Sequence, residues 1–361
     1  MTTFKARAQK VALTLGLSLA ITVTAHTSIQ EQDLLYSFEN SVTLPGGTPD
    51  WDYLSLDQKS GRMFIARRDD GLTVFDINNQ KAITTIPNSI GANGPLVLPE
   101  YDRVFVAMAD GTVMLLELSS LKVLSREKVD PKGLNGTVFD PASKHVIIGT
   151  GRRAGGHMTL YAFDPKSGEK VTQKDFNSTK MDDPAFDGHG TVFAPMRDRD
   201  LMLKLNSDTL EEKDHFMLGD CEQPAAAEFL HEINKLIVAC RGRTKAPMLL
   251  ALTPEGKITD TVPIGRGVDG LAVDHKRRRI VSSNGDDATL TVIEFDKAGN
   301  LILLGNVSTQ PGARTMQLEQ STGKIFLVTS DFTQLAPNAN STETPEPVAH
   351  ANSFRILTYK P

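Results

Sequence analysis

Short apolar runs alternate with turn residues along nearly the whole of this chain, and they return in one fixed order. Residues 51–87, WDYLSLDQKSGRMFIARRDDGLTVFDINNQKAITTIP, show the unit: an apolar strand, a turn, a second strand, a turn, a third strand closing on an aspartate, a turn and a fourth strand. The order repeats from Asn93, Asn135, Asp183, Pro224, Asp269 and Arg314. A unit this small cannot bury both faces of its own sheet, so the units must stack on one another. Seven such units, each of roughly 35–50 residues, predict an all-β chain: a seven-bladed β-propeller with four-stranded antiparallel blades.

The ends of the chain complete that picture. The last unit offers three strands, TMQLE, KIFLVTS and SFRILTYK, while Tyr36–Leu44 (YSFENSVTL) reads as a strand with no unit of its own. Propellers hide sheet edges by joining first and last strands in one blade. The N-terminal strand is therefore predicted to form the outer edge of blade 7. Between Leu335 and Asn352 the chain reads LAPNANSTETPEPVAHAN, which can bury no face. A mobile loop at about 335–352 is expected inside that blade.

Composition adds a compartment. Lys5, Arg7 and Lys10 precede an uncharged apolar run from Val11 to Val23, and Val23-Thr24-Ala25 supplies small residues for cleavage. This three-part build predicts a secretory signal peptide over residues 1–25. The apolar run is short for a membrane span, although an uncleaved anchor is the alternative. No shift in composition divides the rest, so residues 26–361 are expected to be one exported, periplasmic, monomeric propeller domain. Loss of the three leader cations takes the net charge from −5 to −8. In an oxidising compartment Cys221 and Cys240, placed at one end of blade 5, favour a disulfide; free buried thiols and a soft-metal site are the alternatives.

Blade by blade, the chain resembles the YVTN-repeat β-propellers, in particular their exported, YncE-like members. The resemblance runs from about Leu44 to Tyr359. It is carried by the second strands MFIARR, VFVAMA, VIIGTG and LIVACR, and by WDY at 51–53, CEQP at 221–224, VACRG at 238–242, PIGRGVD at 263–269, SNGDDATLTVI at 283–293 and GARTM at 312–316. Asn93 and Asn135 stand where relatives often carry His and Asp. The resemblance implies a seven-bladed, usually periplasmic propeller without a settled activity; relatives are often labelled DNA-binding.

Internal alignment locates the candidate chemistry. The position five residues before each first-strand end should face the central channel, and it reads Asp52, Asn93, Asn135, Asp182 (or Asp183), Ala225, Asp269 and Arg314. Carboxylates and amide oxygens facing one narrow space could hold a divalent cation such as Ca²⁺, a cationic or hydroxylated ligand, or ordered water. Arg314 could equally neutralise Asp269 and Asp52. The loops after the second strands open on the same face and carry Arg67 and Arg68, Arg152 and Arg153, Arg197 and Arg199, and Arg241, Arg243 and Lys245. Guanidinium groups grip carboxylates and phosphates bidentately, so this rim suits a small anionic ligand or a protein partner. Interspersed aspartates compete for the same arginines. No GxSxG, HExxH or Walker sequence is present, and the eight histidines are dispersed. The expectation is a noncatalytic ligand- or protein-binding scaffold. The alternatives are a metal-dependent hydrolase or lactonase at the channel mouth, and a DNA-binding propeller, which the acidic net charge disfavours.

Overall fold

The computed structural model describes residues 35–333 and 347–361. Within them the chain forms seven sheets, each of four antiparallel strands, and one two-stranded ribbon. Blade 1 runs through Trp51–Asp57, Arg62–Arg67, Gly71–Asp76 and Lys81–Thr85 in that order, and blades 2 to 6 repeat this meander. The second and third strands are buried on both faces: Met63, Phe64, Ile65 and Ala66 are fully enclosed, as are Val104 to Met108 in blade 2. The fourth strands face outward, and Lys81–Thr85 is exposed throughout. This gradient follows from stacking, since the inner strands are covered by both neighbouring blades. Apolar clusters accordingly straddle consecutive blades, as where Phe64 and Val74 of blade 1 pack with Val104 and Val106 of blade 2.

Blade 7 closes the ring as the sequence predicts. Its sheet order places Ser37–Thr43 outermost, against Arg355–Lys360, then Ile325–Thr329 and Met316–Leu318. Blade 1 is tied to blade 7 by Gln317, whose Nε2 donates to the Leu54 carbonyl at 2.8 Å.

Two expectations need adjustment. The first strand of blade 4 shrinks to Ala185–Phe186, because Pro184 lacks the donor that an extended ladder requires. The expected loop at about 335–352 begins on an ordered base: Phe332–Thr333 pairs with Val348–Ala349, and His350 Nε2 meets Thr333 Oγ1 at 2.7 Å. The centre of that loop lies outside the described residues, as does the expected signal peptide.

Candidate functional site

Each regular first strand breaks register where it reaches the channel mouth. The breaks fall between Trp51 and Leu54, Ala92 and Gly94, Leu134 and Thr137, Pro224 and Ala226, and Val268 and Gly270. The aligned channel positions 52, 93, 135, 225 and 269 therefore all sit in β-bulges. An unpaired residue in a bulge is turned out of the ladder, which aims its side chain along the axis. The mouth is thus built by one irregularity repeated around the ring.

Asp52, Asn93, Asn135, Asp269 and Arg314 share a cavity of about 510 Å³ at this mouth. Asp182 lies beside it, joined to Lys180 at 2.5 Å and to Arg197 at 2.8 Å. Each carboxylate is claimed by cations. Asp52 meets Arg68 Nη2 at 2.5 Å, and Asp269 meets Arg241 at 2.6 Å and Arg314 at 3.1 Å. Arg68 also donates Nε to Asn93 Oδ1 at 2.6 Å. Asn93 Nδ2 continues to Asn135 Oδ1 at 3.1 Å, and Asn135 Nδ2 reaches the Tyr53 hydroxyl at 3.3 Å. Blades 1, 2 and 3 are therefore linked across the axis by a polar chain with no free amide between them.

The electrostatics of the mouth are uneven. Burial pushes the Asp52 carboxyl up to about 6, against the lowering pull of Arg68 and Lys180. Burial acts on Asp269 in the same sense, but Arg241, Arg314, Lys180 and Arg197 outweigh it and hold that carboxyl below its usual range. Five cations (Arg68, Lys180, Arg197, Arg241 and Arg314) thus face four carboxylates, Asp52, Asp182, Asp269 and the half-exposed Asp50, which lies 3.3 Å from Arg68. Two more cations, Lys132 and Arg152, line the same cavity, are exposed, and have no ion pair with any described residue.

The hard-oxygen reading of this ring does not fit the geometry. The oxygens of Asp52, Asp182 and Asp269 face guanidinium and ammonium groups, and among the described residues no three His, Cys, Asp or Glu side chains converge as a metal would need.

The rim arginines divide sharply. Arg67 is turned away from the mouth. It is 5% exposed, donates to the Pro45 carbonyl at 2.8 Å, pairs with Asp70 and lies 4.8 Å over the Phe354 ring. Its neighbour Arg68 is the one that enters the site. Arg153 is likewise buried on Asp130 at 2.6 Å, while Arg152 stays free. Arg243, Lys245 and Arg266 pair with Asp200, Asp220 and Asp287. Lys132, Lys180 and Tyr53 were not singled out by the internal alignment. Lys180 could have been found, since it lies two residues before Asp182 on the same approach to the mouth. Cys221 and Cys240 form a disulfide with a Cα–Cα distance of 5.3 Å. It stands between Glu222, which accepts backbone hydrogen bonds from Arg243, Thr244 and Lys245, and Arg241 at the mouth.

No protein-family profile and no curated protein matches the sequence. Solved structures do match. A chain of the mitotic checkpoint complex crystal structure superposes with a TM-score of 0.70 at 12% identity, over 98% of this chain and 99% of that one. A chain of Kuenenia stuttgartiensis hydrazine synthase superposes with a TM-score of 0.66 at 12% identity, over 81% and 96%. At this identity the likeness is one of fold: a propeller scaffold, which hosts unrelated activities.

Proposed function

We propose that this chain is an exported, YncE-like propeller that binds, without catalysis, a small ligand bearing carboxylate or phosphate groups at its channel mouth. The observation that carries the reading is the cationic excess in a concave site. After the internal ion pairs are formed, Lys132 and Arg152 still line the cavity with no ion pair among the described residues. Charge-assisted hydrogen bonds in a partly desolvated cleft are the strongest polar contacts a protein can offer an anion. The hydrolase reading has less support, because Asp52, Asp182 and Asp269 already hold cations where a metal would have to bind. Nucleic acid is also less supported: outside the mouth, Arg243, Lys245 and Arg266 are matched by aspartates. The export and the YncE-like kinship rest on the leader and the blade motifs of the sequence.

Calorimetric titration with inorganic phosphate and with citrate at low ionic strength tests the reading. One site is expected, weakened by added salt, and weakened about tenfold, about 1.4 kcal/mol, when Lys132→Ala and Arg152→Ala are combined. Absence of binding by both anions would overturn it.

A further inference from the structure

A second cavity of about 200 Å³ adjoins the mouth along the axis and shares Asp269 with it. Its chemistry is the reverse of the mouth's. Three acidic side chains line it; Asp269 is held by Arg241 and Arg314, whereas Asp183 and Glu228 have no cationic ion-pair partner among the described residues. Asp183 has a hydrogen bond from the Tyr53 hydroxyl, while Glu228 has no side-chain hydrogen bond among the described residues. Thr315 also lines this space; it is 4% exposed, and its buried Oγ1 has no hydrogen-bond partner among the described residues. Between these groups the walls are mixed, with aliphatic first-strand residues such as Leu96, Val138 and Leu271 beside Ser55, Thr137 and Gln317. Glu228 lies three residues further along its strand than the mouth position Ala225, about 10 Å deeper.

Asp183 and Glu228 are partly buried, and acids so placed without a counter-charge either remain protonated or take up a cation. A metal ion would require a closed shell of oxygens, and no three carboxylate or imidazole groups converge among the described residues. Separated carboxyls with aliphatic side chains between them suit an organic cation, which offers N–H donors at its end and carbon along its length. We infer that the axial chamber is a binding site for a small primary alkylammonium ligand, held by Glu228, Asp183 and Thr315.

The groups facing these acids set the pH window. Burial raises Glu228 to about 7, with His275 the one charge opposing it. Asp183 is raised well above the usual range by burial and by Asp182, Asp269 and Asp52, with the Tyr53 hydrogen bond acting the other way. The ligand must therefore displace protons. Binding should strengthen as pH rises through about 7 and persist until the ammonium itself deprotonates near pH ~10.

The test is calorimetry of the full chain with n-butylamine and with 1,4-diaminobutane at pH 8.5 and pH 5.5, alongside Glu228→Gln, Asp183→Asn and the Lys132→Ala/Arg152→Ala double variant. Support would be one site per chain at pH 8.5, about tenfold weaker per pH unit below 7. Glu228→Gln and Asp183→Asn should each lose about tenfold or more in affinity, while the double variant binds amine unchanged. That last arm separates this site from the anion mouth, because phosphate binding should show the opposite sensitivities. Glu228→Gln keeps the side-chain shape and is expected to fold, as circular dichroism can verify. Three outcomes overturn the inference: no binding of either amine, amine binding indifferent to both carboxyl variants, or displacement of bound amine by Ca²⁺ at equal concentration.

Discussion

Glu228 shows how far a single side chain can be read before its surroundings are known. In the sequence it is one polar residue in PAAAEFL, and nothing in the spacing sets it apart from an outward-facing strand position. In the structure it lies in the axial chamber, where burial raises its carboxyl from 4.5 to about 7. The neutral form is then the one the fold tolerates. Its stabilising contribution is fully present below pH 4.5 and is lost as pH rises through 7. Glu228→Gln should therefore leave stability unchanged near pH 4 and raise it by up to about 3 kcal/mol at pH 8. Urea unfolding at the two pH values checks this, and equal stability at pH 8 would mean the carboxyl keeps its water. Arg67 teaches the converse. The sequence offers Arg67 and Arg68 as equivalent rim residues, yet the pairing of Arg67 with Trp51 turns one side chain into the core over Phe354 and leaves the other at the mouth. Arg67→Ala should cost about 3 kcal/mol by stranding the half-buried Asp70 and opening the core, while leaving anion affinity intact. Thermal unfolding and phosphate titration together distinguish the two effects.

Strands and turns were far more readable than individual contacts, because their signals are periodic. Asp76, Asp164 and Asp296 mark third-strand ends in the sequence, and each accepts backbone N–H groups of the turn that follows. The missing fourth strand of blade 7 could be assigned to the N-terminus by counting alone. Deleting Tyr36–Leu44 removes the strand paired with Arg355–Lys360, and should abolish cooperative unfolding. A truncated chain melting at the original temperature would contradict that role. The cysteine pair was also readable as an element-level feature, since both positions fall at one end of neighbouring strands. Their loop spans 19 residues, so Cys221→Ala with Cys240→Ala should lower stability by about 3 kcal/mol, seen equally on reduction of the native chain. What periodicity could not announce is the bulge at each mouth. A register slip of this kind leaves no compositional mark, and Gly94 shows why the geometry matters: a Cβ there would lie 2.2 Å from the Asn135 carbonyl oxygen.

Closure of the ring gives the mouth a property that no blade has alone: its charge is shared. The chain is acidic as a whole, at −5, yet the cations of five blades converge on one opening. Net charge therefore misleads about the local field, which decides what the site attracts. Asp52 is the variable part of that field. Its carboxyl, raised to about 6 by burial, holds Arg68 at 2.5 Å as an internal anion. Above pH 6 it is charged, occupies the guanidinium and repels an incoming anion. Below pH 6 it is neutral, Arg68 keeps only the half-exposed Asp50 at 3.3 Å as its ion-pair partner, and the mouth gains one unit of positive charge. Anion affinity should therefore rise as pH falls from 7.5 to 5, on the order of tenfold for one added charge in a partly screened site. Sulfate is the right probe, because its own charge stays constant across that range while phosphate's does not. Asp52→Asn fixes the mouth in its acidic state, so it should bind sulfate tightly at both pH values with no proton uptake in buffers of differing ionisation heat. A wild-type affinity that is flat with pH, or a pH dependence that survives in Asp52→Asn, would remove Asp52 from that role and leave the free cations Lys132 and Arg152 as the anion's principal contacts.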